Sequence, residues 1–305
     1  MPRSRVETPM KVGVILPHGV WDEFHGLHPN EAWKAMLKVA VDAEELGFES
    51  IWLSDHFMTV EDKPDATVLE AITSLSALAA ATTRVRLGTL VLGATYRNAA
   101  LTAKMLCTLD AISGGRVELG IGAGWKEDEF RGYGYGFPDT KERLAILADQ
   151  LEVITRMLGP GRATWLGRHA SAVDAVNEPK SVQTPRLPIM VGGNGRNVTW
   201  RLAARFADEL NLDGLLPDQV EEALPVIRSR CQEEGRDPAE LRVSVYAGPG
   251  LLAPGPDRVA AFRRYSNLGL TRVIVDIDRN AIRSRGHLED LVHDVSLSDL
   301  PLEPA

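Results

Sequence analysis

The apolar pattern of the chain keeps changing period. Short β-branched runs occur at KVGVIL (11–16), ESIWLS (49–54), RVRLGTLVLG (84–93), RVELGIGAG (116–124), PIMVGG (188–193), DELNLDG (208–214), LRVSVYAG (241–248) and TRVIVDI (271–277). Such continuous runs suit strands covered on both faces. Segments with helical spacing lie between most of them. In NEAWKAMLKVAVDAEELG (30–47) the apolar positions are Trp33, Met36, Leu37, Ala40, Val41 and Leu46, with Asn30 as the expected N-cap and Gly47 as the stop. Helices are likewise expected within 67–82, 98–115, 141–158, 197–207, 217–235 and 257–269.

Eight strand–helix units in a 305-residue chain fit a single (β/α)8 TIM barrel spanning 1–305. The rival, an open doubly wound sheet, would carry a G-x-G-x-x-G turn after its first strand, and PHGVWDEFHG has none. The rhythm breaks twice after the fourth strand. WKEDEFRGYGYGFPDT, within 125–140, reads as a long loop. The stretch 160–187 is too long for a plain connector and is expected to hold a short hairpin.

Composition narrows the function classes. Hydrophobic residues at 44% and charged residues at 25% are ordinary for a soluble globular protein. A formal net charge of −8 counts against a nucleic-acid surface or a general membrane-surface role. Cys107 and Cys231 stand far apart in helical patterns, so they give neither metal spacing nor a disulfide framework, and no metal is expected. The opening MPRSRVETPM has no apolar run behind its arginines and no stretch reaches 18 apolar residues, so the expected location is the cytoplasm.

In a barrel the chemistry gathers at the C-terminal ends of the strands. The second strand ends in Asp55 and His56. An imidazole titrates near neutrality and suits proton transfer, whereas Asp55 could brace a loop or a helix. VGGNGRNVTW places Gly192, Gly193, Asn194 and Gly195 just before a helix, where unpartnered N–H groups suit a phosphate. In GIGAGW the glycines 120, 122 and 124 fit either a flat ligand against the backbone or tight packing at the barrel rim, and spacing does not separate the two. Trp21, Phe24, Phe57, Trp125, Tyr133 and Tyr135 could wall an apolar pocket or anchor loops.

Taken in order, KVGVILP, GFESIWLSDHF, LGTLVLG, LDAISGGRVELGIGAGWKEDEF, PIMVGGNG and RLAARFADELNLDG resemble the luciferase-like monooxygenase superfamily, in particular its branch dependent on coenzyme F420. The resemblance implies a barrel with an insertion after strand 4. It implies a flavin-type ring over a bulge at Leu90–Val91, with a cis peptide there that local propensity would not suggest. It implies a phosphate turn at Gly192, Gly193, Asn194 and Gly195; Gly122 and Gly124, from the Gly-rich strand end, are further candidates for cofactor contact. Asp55 and His56 match a D-H pair that touches the cofactor, with His56 as acid or base. Trp21, Phe57, Trp125 and Tyr133 would border the substrate. One departure stands out. The glutamate that some deazaflavin dehydrogenases carry directly after this strand end is Trp125 here. That counts against a sugar-phosphate or simple alcohol handled by a Glu/His pair.

The resulting expectation is an F420-dependent oxidoreductase acting on a small, mainly apolar organic substrate. The alternatives are an FMN-dependent monooxygenase on the same barrel, using reduced flavin and oxygen, and a non-catalytic barrel. A homodimer is expected, with no nucleic-acid partner.

Overall fold

The computed structural model describes residues 9–302 apart from 62, 64 and 278, so the arginine-bearing start of the chain lies outside the described residues. The strands are β1 (Lys11–Ile15), β2 (Ser50–Leu53), β3 (Arg86–Thr89), β4 (Leu92–Gly93), β5 (Val117–Gly122), β6 (Ala163–Leu166), β7 (Ser171–Ala175), β8 (Ile189–Gly192), β9 (Glu209–Asp213), β10 (Arg242–Ala247) and β11 (Arg272–Asp276). All except β6 and β7 form one parallel sheet in the order β3-β2-β1-β11-β10-β9-β8-β5-β4, and β3 also pairs with β5, which closes it. The β3 and β4 segments are one barrel strand interrupted at Leu90–Val91, where the peptide bond is cis as the resemblance implied. The closed sheet is therefore a (β/α)8 barrel.

The helices are α1 (Pro29–Glu45), α2 (Ala71–Ala81), α3 (Ala99–Ser113), α4 (Glu127–Gly132), α5 (Thr140–Leu158), α6 (Thr199–Phe206), α7 (Pro217–Glu233), α8 (Pro256–Asn267) and α9 (Gly286–Leu297). None of the described helices is long and apolar enough to cross a membrane. Two expectations need correction, and one helix was not expected. The N-cap of α1 is His28, not Asn30, because Pro29 is preorganised for the first helical turn and Glu31 closes a capping box. The stretch 125–140 contains α4, a short helix with three acids in its first turn. The apolar spacing of α9 was missed altogether. The 160–187 stretch does hold an antiparallel hairpin, β6–β7.

Strand register decides what fills the barrel. Trp52 on β2 is fully buried at its centre. It fits because Gly88, its register partner on β3, and Gly13, two residues from its partner on β1, have no side chain. A Cβ on Gly88 would stand 2.2 Å from the indole, and one on Gly13 2.8 Å from its Nε1. The indole N–H donates to Ser50 at 2.8 Å. Below it, at the N-terminal ends of the strands, Arg272 is packed among Glu49, Glu118 and Glu209. Above it, Ile15, Leu90, Val91, Met190, Tyr246 and Ile274 make an apolar floor under the mouth.

Candidate active site

Asp55 follows β2 and is 5% exposed. Arg97 grips both its oxygens, Nη1 to Oδ2 at 2.6 Å and Nη2 to Oδ1 at 2.8 Å, and the Gly93 N–H donates to Oδ2 at 3.0 Å. Arg97 also reaches Glu70, whose carboxylate caps α2 through the N–H groups of Ile72 and Thr73. Burial disfavours the Arg97 charge, but Asp55 and Glu70 outweigh it and raise its pKa. Asp55 thus bolts the end of β2 to the loop after β4. Of its two sequence-level readings, the bracing one is occupied by observed bonds.

His56 points elsewhere. Its Nδ1 lies 3.1 Å from Oε2 of Glu129, a residue of α4 with a fully buried side chain. The same carboxylate accepts N–H bonds from Phe57 at 2.6 Å and Met58 at 3.0 Å through Oε1, and the Tyr96 hydroxyl at 2.8 Å through Oε2. Burial pushes Glu129 up, but the His56, Tyr96 and Phe57 donors reverse this and hold its pKa below the usual carboxylate value. The Trp125 ring stands edge-on to the imidazole, with centroids 5.6 Å apart. A Glu/His pair therefore exists after all. Its acid comes from four residues beyond the strand-end position that Trp125 fills.

A buried histidine stands three residues after β1. His18 Nδ1 lies 2.8 Å from the Leu16 carbonyl and Nε2 lies 2.6 Å from the Ser54 hydroxyl. A carbonyl only accepts, so Nδ1 carries the proton and Ser54 donates to Nε2. Burial, the largest influence, lowers the His18 pKa.

The glycines of the rim divide into two groups. A Cβ on Gly122 would meet Val91 Cγ2 at 2.7 Å, and one on Gly192 would meet Val91 Cγ1 at 2.8 Å. Val91 occupies the space both leave, which is the packing reading of Gly122 and a role for Gly192 that sequence reasoning did not raise. Gly124, at φ +77°, turns the chain against the Phe130 ring. Gly193, at φ +126°, needs to be glycine for its conformation. Its N–H donates to Asn211 O and its carbonyl accepts from the Trp200 indole, both at 3.0 Å. Asn194 uses its side chain on the Asp213 backbone, donating to O at 2.6 Å and accepting from N at 3.0 Å. Gly195 packs against Thr199, leaving no room for a Cβ. Among the described residues the N–H groups of Asn194, Gly195 and Arg196 have no protein acceptor. They stand one turn before α6, where an anion is favoured.

The aromatic residues also separate. Phe57 stacks on Tyr96 and on Tyr133, each at 4.8 Å, so Phe57 and Tyr133 brace each other over the loop. Phe24 is core. Trp125 is 65% exposed and flanks His56. Trp21 lies on the β10–β11–β1 side of the rim. There it lines a cavity of about 510 Å³ with Glu23, Leu252, Val275, Asp276 and Ile277, a volume suited to a small organic ligand.

With this geometry in place, comparison with known proteins is decisive at the level of family. The family model described as luciferase-like monooxygenase matches residues 10–292. The chain belongs to the luciferase-like monooxygenase family. An F420-dependent glucose-6-phosphate dehydrogenase of Kineococcus radiotolerans is 35% identical over 66% of this chain and 59% of its own length. Against this and similar curated dehydrogenases the chain spans 57–60% of their length. Among solved structures, an F420-dependent secondary alcohol dehydrogenase in complex with an F420-acetone adduct superposes with a TM-score of 0.79 at 18% identity, covering 95% of this chain and 99% of that one. The monooxygenase RslO1 from Streptomyces bottropensis gives 0.70 at 21% identity, with 92% and 99% coverage. Both likenesses concern the fold.

Within this luciferase-like barrel, sequence reasoning missed Glu129 and His18 as site residues. The only signal for Glu129 was its place on one face of a short acidic helix, hidden by the loop-like glycines that follow. His18 was visible as an imidazole directly after the first strand.

Proposed function

We propose that the protein is an F420-dependent oxidoreductase acting on a small, mainly apolar organic substrate, with His56 as the proton donor or acceptor. The observation that carries this reading is His56 itself. It stands just after the second strand, held through Nδ1 by a buried carboxylate and flanked by Trp125, and among the described residues its Nε2 has no protein partner. When bound, the deazaflavin would supply hydride chemistry. The residues present suit such a group. Leu90, Val91 and Met190 offer an apolar seat, and the unsatisfied N–H groups of Asn194, Gly195 and Arg196 offer a place for a phosphate. Trp125 shields one edge of the imidazole. The Trp21 cavity, where Leu252, Val275 and Ile277 stand beside Glu23, Arg258, Asp276 and Asp290, is the candidate substrate space. The similarity to F420-dependent dehydrogenases supports the cofactor. A cytoplasmic homodimer belongs to the same proposal.

The test is a parallel titration. The protein should quench F420 fluorescence with micromolar or tighter affinity and bind FMN at least tenfold more weakly, a gap of about 1.4 kcal/mol. Equal or reversed preference would replace this reading with that of an FMN-dependent monooxygenase.

A further inference from the structure

Glu129 has only acceptors when ionised, yet it is surrounded by donors. Oε1 receives the N–H groups of Phe57 and Met58, and neither can do anything but donate. Oε2 receives the Tyr96 hydroxyl and faces His56 Nδ1. A fully buried carboxylate bound in this way stays charged, and its pKa is lowered accordingly.

We infer that Glu129 is a positioning residue that fixes neutral His56 as the tautomer protonated on Nδ1, leaving the Nε2 lone pair as the base of the site. This deepens the oxidoreductase reading and rests on it for its catalytic consequence. In the oxidation direction, the substrate's X–H proton passes to Nε2. When bound, the oxidised deazaflavin would accept the hydride from the adjacent carbon as the C=X bond forms, so the chain's own part is the proton taken at Nε2. The imidazolium so produced is stabilised by the carboxylate at Nδ1. The orientation also has to be built by the loop. Since Phe57 and Met58 follow His56 directly, one carboxylate holds both the backbone and the ring of the same short segment.

The arrangement makes an asymmetric prediction for Glu129→Gln. The amide oxygen must stay at the Oε1 end, because two backbone N–H groups point at it. The NH2 then lies at the Oε2 end and donates to Nδ1. His56 is forced into the opposite tautomer, with its proton on Nε2. The substitution changes no volume and still ties down the loop, but it removes the base.

The experiment uses the ¹⁵N-labelled full-length protein without cofactor, with long-range ¹H–¹⁵N correlations of His56 as the readout. The expected result is a protonated Nδ1 in the wild type and a protonated Nε2 in Glu129→Gln. In the F420-loaded protein, turnover of the variant should fall by roughly 10²–10⁴-fold, with F420 affinity within a few-fold. The loss should appear in kcat more than in KM, and the acid limb of the pH–rate profile should disappear. A wild-type spectrum with the proton on Nε2 overturns the inference. So does a folded variant with unchanged tautomer or unchanged turnover. If Glu129→Gln does not fold, the wild-type spectrum alone decides. Failure of F420 to bind while the Nδ1–H tautomer is seen would sink the cofactor reading and leave the Glu129 assignment standing.

Discussion

The two ends of the barrel both bury ionised groups, and they connect them differently. At the N-terminal end, Arg272 donates to Glu49 at 2.9 and 3.1 Å, to Glu118 at 3.0 Å and to Glu209 at 3.0 and 3.1 Å. Arg86 supplements Glu118 and Arg242 supplements Glu209. Three guanidinium groups answer three carboxylates and each buried oxygen is engaged. At the C-terminal end, Asp55 is closed in the same manner by Arg97. Beside it, Glu129 is closed by four donors, but one of those donors is a histidine with a second nitrogen to offer. Charge that is saturated on all sides fixes geometry. Charge that ends on an imidazole whose second nitrogen has no protein partner leaves a group that, under the proposed function, would be open to the substrate. The difference separates framework from chemistry more sharply than the residue types do, because both ends are built of the same acids and bases.

Two substitutions should pull the ends apart. His56→Ala removes the open valence. Turnover should fall by roughly 10²–10⁴-fold, about 2.7–5.4 kcal/mol in the barrier. F420 affinity should stay within a few-fold, and because Glu129 keeps its Phe57, Met58 and Tyr96 donors the loss of stability should be smaller than for Arg272→Met. Near-normal turnover would mean that the proton is carried elsewhere. Arg272→Met should do the reverse. It leaves three buried carboxylates facing two flanking arginines, a loss of about 3–5 kcal/mol in unfolding free energy by denaturant titration. The folded fraction should still bind cofactor.

The same network sets an acid dependence. Burial pushes the Glu118 carboxyl up, but Arg272 and Arg86 outweigh it and hold it at about 2 against an ordinary 4.5. A depressed folded pKa means that the stabilisation is complete above about 4.5 and is lost as the pH falls towards about 2. The wild type should therefore weaken across that window. In Arg272→Met the folded pKa rises, so this loss should shrink. An identical acid profile in both proteins would show that the network does not govern it.

How much of this was legible in the sequence depends on the range of the interaction. The strands were read from local β-branched runs, and the barrel followed from their number. The interruption at Leu90–Val91 came from resemblance, since LGTLVLG has no local sign of it. Asp55 and His56 were conspicuous because they end a buried strand in a fold whose chemistry gathers at strand ends, although such a pair can also make only local hydrogen bonds. Their partners were not, because Arg97 lies 42 residues from Asp55 and Glu129 lies 73 from His56. Pairing across such distances is set by the closure of the barrel, and no spacing rule expresses it. Arg272 lies 63, 154 and 223 residues from Glu209, Glu118 and Glu49, and sequence reasoning singled out none of them. The glycines were seen but their purpose was left open. Only the register shows that Gly122 and Gly192 flank one side chain.

That last point gives the smallest and most discriminating test. If Gly192 is glycine so that Val91 fits, an alanine there harms the protein with or without cofactor. Its Cβ would lie 2.8 Å from Val91 Cγ1, closer than unstrained atoms approach. Valine cannot swing away easily, being stiff at χ1. Overpacking of this kind costs about 1–3 kcal/mol. Val91→Ala in the same protein removes the offending methyl groups, so the double variant should be more stable than the sum of the single losses allows. A favourable coupling of about 1 kcal/mol or more is expected for residues in direct contact. If Gly192 instead makes room for a ligand, Gly192→Ala should leave the cofactor-free stability near wild type. It should weaken F420 binding, and Val91→Ala should restore nothing. Denaturant titrations of the four cofactor-free proteins separate the two readings. Additivity within about 0.5 kcal/mol would move Gly192 from the framework to the site.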